Sequence, residues 1–429
     1  MKRSIIPFIT AGLVFVATIF FLNQMVAPFS LQALKTKIFT CLMAATFSIA
    51  TFLTLYLKEV KLEQLRSNLY IVLFFVIILS PEFVKQFNLE KKIVIDEKRT
   101  LAEKPAFTFT KDYPQKYEAY YNDNFGLRSN IISFTNKVKM SFFSSSINNE
   151  LVKFGGDGFL FLASAYAIEE SYTNTNLLSP EELEAVYQLM LARKTKLNEQ
   201  GITFVQGYWP NKHTVYRDEL PSAMKQKIKN DQSLANQVIS YFAERGLTFL
   251  DVSEELLAAK KGTQLYQKFD THWNLDGAFV AYQAFCKKTF AELGLTAFKK
   301  EDFTIKYKET RRGDLVYMLG MDEFPGYYDE LPTYTTKDNR LSYVFMDASS
   351  FPERTIITVN ENCKNKQVAL VFRDSYGKNL IPFLSLHYHK VVYIKYSDKP
   401  YFNEEMIARV QPDVVMSLGL ERYLSLVLK

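Results

Sequence analysis

QVALVFRDSYGKN, residues 367–379, decides the architecture of this chain. Its first half is an apolar run without polar alternation, ending at Phe372, and reads as a strand buried on both faces. Arg373, Asp374 and Ser375 follow at its carboxyl edge, Gly377 permits a tight turn, and the spacing predicts a helix over roughly Lys378–Leu386. Outward from this point the same alternation recurs. SPEELEAVYQLMLARKTKLNEQG (179–201) starts on Ser179, with Pro180 at the first helical position, Glu182 closing a capping box, and Gly201 as the stop. ITFVQGYW (202–209) is a buried strand, about 222–245 a helix, TFLDV (248–252) a strand, and Leu275 to Leu293 a helix. KVVYI (390–394) and DVVMSL (413–418) are further strands. Apolar strands alternating with amphipathic helices predict an α/β domain, a parallel sheet covered on both faces. In such sheets working residues gather at the carboxyl ends of the strands. LVKFGGDGFLFL (151–162) reads as a hairpin around its Gly-Gly-Asp-Gly turn.

The first ninety residues differ in kind. Ile5–Leu22 and Ile38–Leu57 are uncharged runs of the length a bilayer requires, and Leu69–Leu79 is a shorter apolar run reaching Pro81. No small-residue cleavage site follows the first run, and two more apolar runs do, which argues against a signal peptide. Lys2 and Arg3, and then Lys58, Lys61 and Arg66, belong on the inside by charge, against Lys35 and Lys37 in the competing loop. Three spans place everything after about residue 85 outside; without the third, that side flips. The expected organisation is 1–88 membrane anchor with about three transmembrane helices, 89–150 connector with short helices, and 151–429 catalytic domain.

Composition narrows the partners. The excess of 52 basic over 46 acidic residues is modest and scattered, with no Lys/Arg stripe, so nucleic acid is not expected. The three cysteines, Cys41, Cys286 and Cys363, have no metal spacing. Cys286 and Cys363 read as free thiols, or as one disulfide in an oxidising compartment. No cofactor motif is present, and no metal is expected.

FDTHWNLDGA (269–278) holds one of only four histidines in the chain. Ser375 at its strand-to-helix turn is placed as a nucleophile, which needs a base to take its proton. His272 supplies the base, and Asp270, two residues before it, fixes the tautomer and stabilises the imidazolium. The plain alternative is that Asp374 and Ser375, and Asp270 or Asn274, merely cap helices. Trp273 is expected to wall the site. Backbone N–H groups of Ser375, Tyr376 and Gly377 are oxyanion candidates, with Asn211, Lys212 and Arg373 as further donors. His213, after the strand at Trp209, is a turn residue or a neighbour of the site. His387 and His389 alternate in LHYHKV and lack a third ligand at metal spacing.

DTHW, RDSYG, GGDGFLFL and WPNKHTVYRDELP together resemble the bacterial polysaccharide O-acetyltransferases of the alginate acetylation type. They are also similar to the related DHHW proteins, with Thr271 where the first histidine of that name stands. EKRTLAEKPAF with YPQKYEAYYNDNFGLRSNII resembles the segment leading into that domain, with Lys98 where asparagine is common, and QPDVVMSLGLERYL (411–424) its last strand and Glu-Arg. The resemblance runs over about 93–424. It implies an SGNH hydrolase-like fold with permuted block order, since Asp270 and His272 precede Ser375. By resemblance, Ser375 is the nucleophile, His272 the base and Asp270 its orienter. Arg373 stands where the family usually carries a small residue, as in the DHHW branch. The resemblance further implies a membrane-anchored, extracytoplasmic O-acetyltransferase of the inner membrane, working through an acetyl-serine. Its acceptor would be a cell-surface or secreted polysaccharide, with a membrane-bound O-acyltransferase supplying acetyl groups. A carbohydrate esterase with the same triad and a non-catalytic polysaccharide-assembly or binding protein stay open at this point.

Overall fold

The computed structural model describes residues 48–49, 51–52, 63–90, 93, 95, 97, 99–143, 150–310, 313–321, 328–338, 342–396 and 400–429. The expected spans Ile5–Leu22 and Ile38–Leu57 lie outside the described residues, the second but for positions 48, 49, 51 and 52, as does Cys41. The third run lies within the helix Glu63–Gln86. Among the described residues no helix is long and apolar enough to cross a membrane. Arg66 and Glu82 bracket the third run closely, leaving far fewer than the ~20 apolar residues a crossing takes.

Contacts divide the chain into two compact units, Met1–Ile147 with Tyr317–Met321, and Asn148–Val316 with Asp322–Lys429. In the first, Val84 and Leu89 pack with Leu127, Ile131 and Phe134. Gly126 allows the helix to approach, because a Cβ there would lie 1.8 Å from Pro81 O. Arg99 holds Asp123 and Arg128 holds Glu97, which joins the extended segment at 97–102 to the helices Tyr113–Asn124 and Arg128–Phe143.

The second unit is an α/β domain. Its hairpin, β1 (Val152–Phe154) and β2 (Leu160–Leu162), closes through Gly156–Gly158 as expected. The main sheet has six strands: β3 (Thr203–Trp209), β6 (Val344–Met346), β7 (Ile356–Val359), β8 (Val368–Arg373), β9 (Lys390–Lys395) and β10 (Val414–Leu420), in the order β3-β10-β8-β9-β7-β6. β3, β10, β8 and β9 are parallel, but β7 and β6 join antiparallel, so the sheet is mixed where a parallel one was expected. The parallel four are apolar because both faces are covered; β6 is only three residues, VFM, apolar yet exposed throughout. On one face, Phe204, Tyr208, Leu370, Phe372, Val392, Ile394 and Val415 join Leu183, Met190 and Leu197 of the capped helix Pro180–Glu199, with Val238, Phe242 and Met406.

Three local expectations change. The helix of about 222–245 is two, Ser222–Lys225 and Leu234–Ala243, the second starting on the Ser233 cap. TFLDV forms one bridge, Gly207 to Leu250, instead of a strand. The helix from Leu275 ends at Lys288, and Phe290–Leu293 is a separate turn. A separate antiparallel pair, β4 (Phe303–Thr310) and β5 (Asp329–Thr336), anchors that helix: Tyr307 and Tyr334 donate their hydroxyls to Asp276 at 2.9 and 2.5 Å.

From β8 the chain passes to β9 on one side, then to β10 on the other. That change of direction opens a crevice at the carboxyl ends of β8 and β10, where ligand sites of open α/β sheets form.

Candidate active site

Ser375 follows β8 at this crevice with ordinary right-handed backbone (φ −67°, ψ −29°). The chain then makes a 3-10 turn, Tyr376–Leu380, and a short α-helix, Ile381–Leu384, in place of the single expected helix. Ser375 Oγ lies 2.8 Å from His272 Nε2, and His272 Nδ1 lies 2.6 Å from Asp270 Oδ1. The three residues inferred from sequence thus meet in one hydrogen-bonded line. Asp374 takes the capping role instead: its Oδ1 accepts the Tyr376 N–H at 2.8 Å and its Oδ2 accepts the Leu420 N–H at 2.5 Å. Ser375 does not cap; its hydroxyl faces His272.

Electrostatics sets the protonation states. Burial opposes charge on Asp270, but the hydrogen bond and charge of His272, with the Asp314 and His272 N–H groups, outweigh it and hold the carboxyl near 2. Burial also opposes charge on His272, and Asp270 again prevails, raising the imidazole above its ordinary value. His272 is thereby tuned as an acceptor for the serine proton.

The loop bearing Asp270 and His272 is held from several sides. Lys212, 1% exposed, donates Nζ to the backbone oxygens of Gln267 (3.0 Å), Lys268 (3.3 Å) and Asp270 (2.6 Å). Burial pushes this ammonium down to about 8, which still leaves it charged at neutral pH. Asp329 accepts the N–H groups of Lys268 and Phe269 at 3.1 and 3.2 Å. Asp314 donates its N–H to Asp270 Oδ2 at 2.9 Å and accepts Thr271 N–H and O–H at 2.7 and 2.5 Å. Gly313 makes that approach feasible, since a Cβ there would stand 1.9 Å from Phe269 O.

Asp270, His272 and Asp314 place one donor atom each within 4.8 Å of one another, as a metal site would. Every carboxylate oxygen of the trio, however, already accepts an N–H or O–H from Thr271, His272 or Asp314, so the group is organised as a hydrogen-bonded base.

Several expected substrate contacts have other partners. Trp273 is fully buried and does not wall the site; its indole N–H donates to Tyr376 O at 3.1 Å. The Tyr376 hydroxyl donates in return to Thr271 O. This reciprocal pair fastens the histidine loop to the serine turn. The N–H groups of Tyr376 and Gly377 go to Asp374 at 2.8 and 3.4 Å, so neither is a free oxyanion donor. Asn211 donates its amide to Ser171 at 3.0 Å, and Lys212 is committed to its carbonyls. Arg373 is buried, donating to Asp374 O at 2.8 Å and packing where a Gly377 Cβ would be.

The other histidines are structural neighbours. His213 Nε2 contacts Leu162 O at 2.8 Å, and burial pushes the ring down to about 3. His387 Nε2 meets the Tyr282 hydroxyl at 2.6 Å, and His389 precedes β9, at the opposite edge of the sheet from Ser375. Cys286 and Cys363 are both buried free thiols. Sequence reasoning missed Asp314 and Asp329 altogether, read Asp374 only as a possible helix cap, and noted Glu421 and Arg422 only as the Glu-Arg pair of the last strand. Only GLER (419–422), at the end of β10, carried a readable signal, a Glu-Arg pair at the carboxyl edge of a buried strand.

Comparison with known proteins follows the same line. No curated protein sequence matches the chain. Among solved structures, Bacillus cereus PatB1 with a sulfonyl adduct is 18% identical, covering 65% of this chain and 96% of its own, with a TM-score of 0.45. The O-acetyltransferase domain of Pseudomonas putida AlgJ is 20% identical, with coverages of 64% and 91% and a TM-score of 0.41. A DHHW family protein from Eubacterium siraeum is 16% identical, with coverages of 63% and 94% and a TM-score of 0.41. The model of the SGNH hydrolase-like domain of acetyltransferase AlgX matches residues 152–351, a span that contains Asp270 and His272 and stops before Ser375. Residues 152–351 of this chain are therefore similar to the SGNH hydrolase-like domain of that acetyltransferase.

Proposed function

We propose that the chain is a serine O-acetyltransferase that acetylates hydroxyls of a cell-surface or secreted polysaccharide. The observation that carries this reading is the line Asp270–His272–Ser375, with contacts of 2.6 and 2.8 Å, at the carboxyl edge of a domain matched to an acetyltransferase family. In the first half-reaction Ser375 Oγ attacks the acetyl carbonyl carbon while its proton passes to His272 Nε2. The carbonyl π pair moves onto oxygen, then returns as the bond to the leaving group breaks. His272 hands its proton to that leaving group. In the second half a sugar hydroxyl gives its proton to His272 and attacks the acetyl-serine carbonyl carbon; as the bond to Ser375 Oγ breaks, His272 returns that proton to Oγ, releasing the O-acetyl sugar. Asp270 stays ionised throughout and stabilises the imidazolium.

The apolar runs at Ile5–Leu22 and Ile38–Leu57 support a membrane anchor. A polysaccharide acceptor at the cell surface places the domain outside the cytoplasmic membrane, with a membrane-bound O-acyltransferase passing acetyl groups across. With two spans, this placement requires the loop bearing Lys35 and Lys37 to face the cytoplasm. Labelling a Phe109→Cys variant in whole cells with a membrane-impermeant maleimide tests it; protection of that fully exposed position until the membrane is opened would refute it.

The chemistry is tested by intact mass after incubation with 4-nitrophenyl acetate. A single acetyl adduct, absent from Ser375→Ala and His272→Ala, is expected, followed by its loss to an added glycan and not to water alone. Loss to water at the same rate would make the protein an esterase. No adduct on folded wild-type protein would refute the acetyl-serine.

A further inference from the structure

The site as built is short of one group. A tetrahedral intermediate at Ser375 carries a full negative charge on oxygen, and preorganised donors lower the barrier to forming it. The Ser375 N–H supplies one. Of the other groups beside the serine, the Tyr376 and Gly377 N–H groups are bound to Asp374, the Trp273 N–H to Tyr376 O, the Asn211 amide to Ser171, and the Lys212 ammonium to backbone carbonyls.

We infer that Arg422 is the missing donor, a catalytic residue whose guanidinium binds the carbonyl oxygen of the acetyl group as it becomes an oxyanion. Three observations support this. Arg422 lies two residues beyond Leu420, whose N–H is held by Asp374 Oδ2 at 2.5 Å; the end of β10 is thereby fixed against the residue preceding Ser375. Glu421 is tethered on the other side by Asn211 N–H and Thr214 Oγ1, at 2.8 and 2.5 Å, so the segment is rigid. Arg422 itself is only 7% exposed, its Nε has no hydrogen-bond partner, and among the described residues it makes no ion pair with a carboxylate. Its side chain meets Tyr423, with the guanidinium carbon 5.4 Å from the ring centroid and a side-chain hydrogen bond to the phenol. A buried cation with no carboxylate in contact is costly to maintain, and an anion that forms there only during reaction resolves that cost. Its field also reaches His272, Asp374 and Tyr376, the residues around the serine hydroxyl, and lowers the proton affinity of each. Glu421 is excluded from this role by its sign and its partners.

The inference rests on the acetyl-serine reading, and one experiment separates the two. The rate of Ser375 acetylation by 4-nitrophenyl acetate is measured on the full chain in detergent, for wild type, Arg422→Gln and Arg422→Lys. Arg422→Gln is expected to slow acetylation by roughly 10²–10³-fold, the loss typical of one oxyanion donor, with the ester concentration for half-maximal rate unchanged. Arg422→Lys is expected to retain part of the rate, and millimolar guanidinium ion to restore part of it to Arg422→Gln. A rate within threefold of wild type in Arg422→Gln overturns the inference. So does a loss confined to the half-saturating concentration, or one that guanidinium leaves unrepaired in protein of wild-type circular dichroism. If Arg422→Gln does not fold, the Arg422→Lys rate decides, and a wild-type rate there overturns the inference. An unreactive wild type would sink the acetyl-serine reading itself, and this donor with it.

Discussion

Lys212→Met separates the placement of the triad from the stability of the fold. The ammonium, 1% exposed, holds three backbone oxygens of the loop that carries Asp270 and His272. Lys268 O keeps a second partner, the Leu160 N–H at 2.8 Å. Gln267 O and Asp270 O would be left facing an apolar side chain. Each buried acceptor without a partner costs about 1–3 kcal/mol, so the loss is roughly 2–6 kcal/mol. Against it stands the cost of burying the charge. Pushing the amine from 10.5 to about 8 corresponds to about 3 kcal/mol, which methionine does not incur. The net change in global stability is then only about 1 kcal/mol in the centre of its range, with the two contributions nearly cancelling. The catalytic cost does not cancel. His272 reaches Ser375 across 2.8 Å, and a misplacement of about 1 Å costs on the order of 100-fold. Lys212→Met is therefore expected to lose about two decades in the serine acetylation rate while its urea midpoint moves little. Stopped-flow release of 4-nitrophenol and equilibrium urea unfolding measure the two quantities on one preparation. A rate within threefold of wild type would refute the reasoning, because the loop would then hold its geometry without the ammonium.

Three further outcomes are expected. The acetylation rate should rise with pH through the His272 pKa, which lies above the ordinary 6.5 because Asp270 overcomes burial. Asp270→Asn should move that limb to lower pH and cut the rate by roughly 10²–10⁴-fold; an unmoved limb would mean that Asp270 does not set the histidine. Burial raises Glu421 from 4.5 to about 7, so the native state holds a proton that the unfolded chain releases, and stability falls as pH climbs between those values. Glu421→Gln should match wild type at pH 5 and exceed it at pH 8 by up to about 3 kcal/mol, read from urea midpoints; equal midpoints at pH 8 would count against the buried charge. Gly313→Ala should destabilise the domain by more than about 2 kcal/mol and depress acetylation, because its Cβ would stand 1.9 Å from Phe269 O; a wild-type melting temperature with full activity would show that Asp314 need not approach the loop so closely.

How much of this was legible before folding depends on the range of the forces involved. Local patterns carried the buried strands near 203–209, 368–373, 390–395 and 414–420, since a strand covered on both faces must be apolar throughout. They carried the Ser179 capping box as well, because its partners are three residues apart. Asp270, His272 and Ser375 were recognisable because reactive residue types stood at strand and helix ends, and the family resemblance ordered them. The antiparallel edge β6–β7 went unread because its strands are only three and four residues long, and their direction depends on a pairing between β7 and β9 made more than thirty residues apart in the chain. Whether Tyr376 and Gly377 N–H groups were free, whether Trp273 faced substrate, and what Lys212 held were all questions of competition for hydrogen-bond partners. Lys212 found its carbonyls 55–58 residues away and Trp273 its acceptor, Tyr376 O, 103 residues away, while Asp374 took the Tyr376 and Gly377 N–H groups from two and three residues off in competition with any oxyanion.

The sequence by itself therefore determined which residues can transfer a proton and an acyl group, because that capacity belongs to the side chains. Only the tertiary structure decided which of them are free to do so. A buried donor must be paired with an acceptor, and the pairing depends on which strand ends the sheet brings side by side. The ends of β8 and β10 meet through one hydrogen bond, Leu420 N–H to Asp374. The same Asp374 carboxylate takes the Tyr376 and Gly377 N–H groups, and so fixes the end of β10 against the turn that carries Ser375 while withdrawing those donors from the reaction.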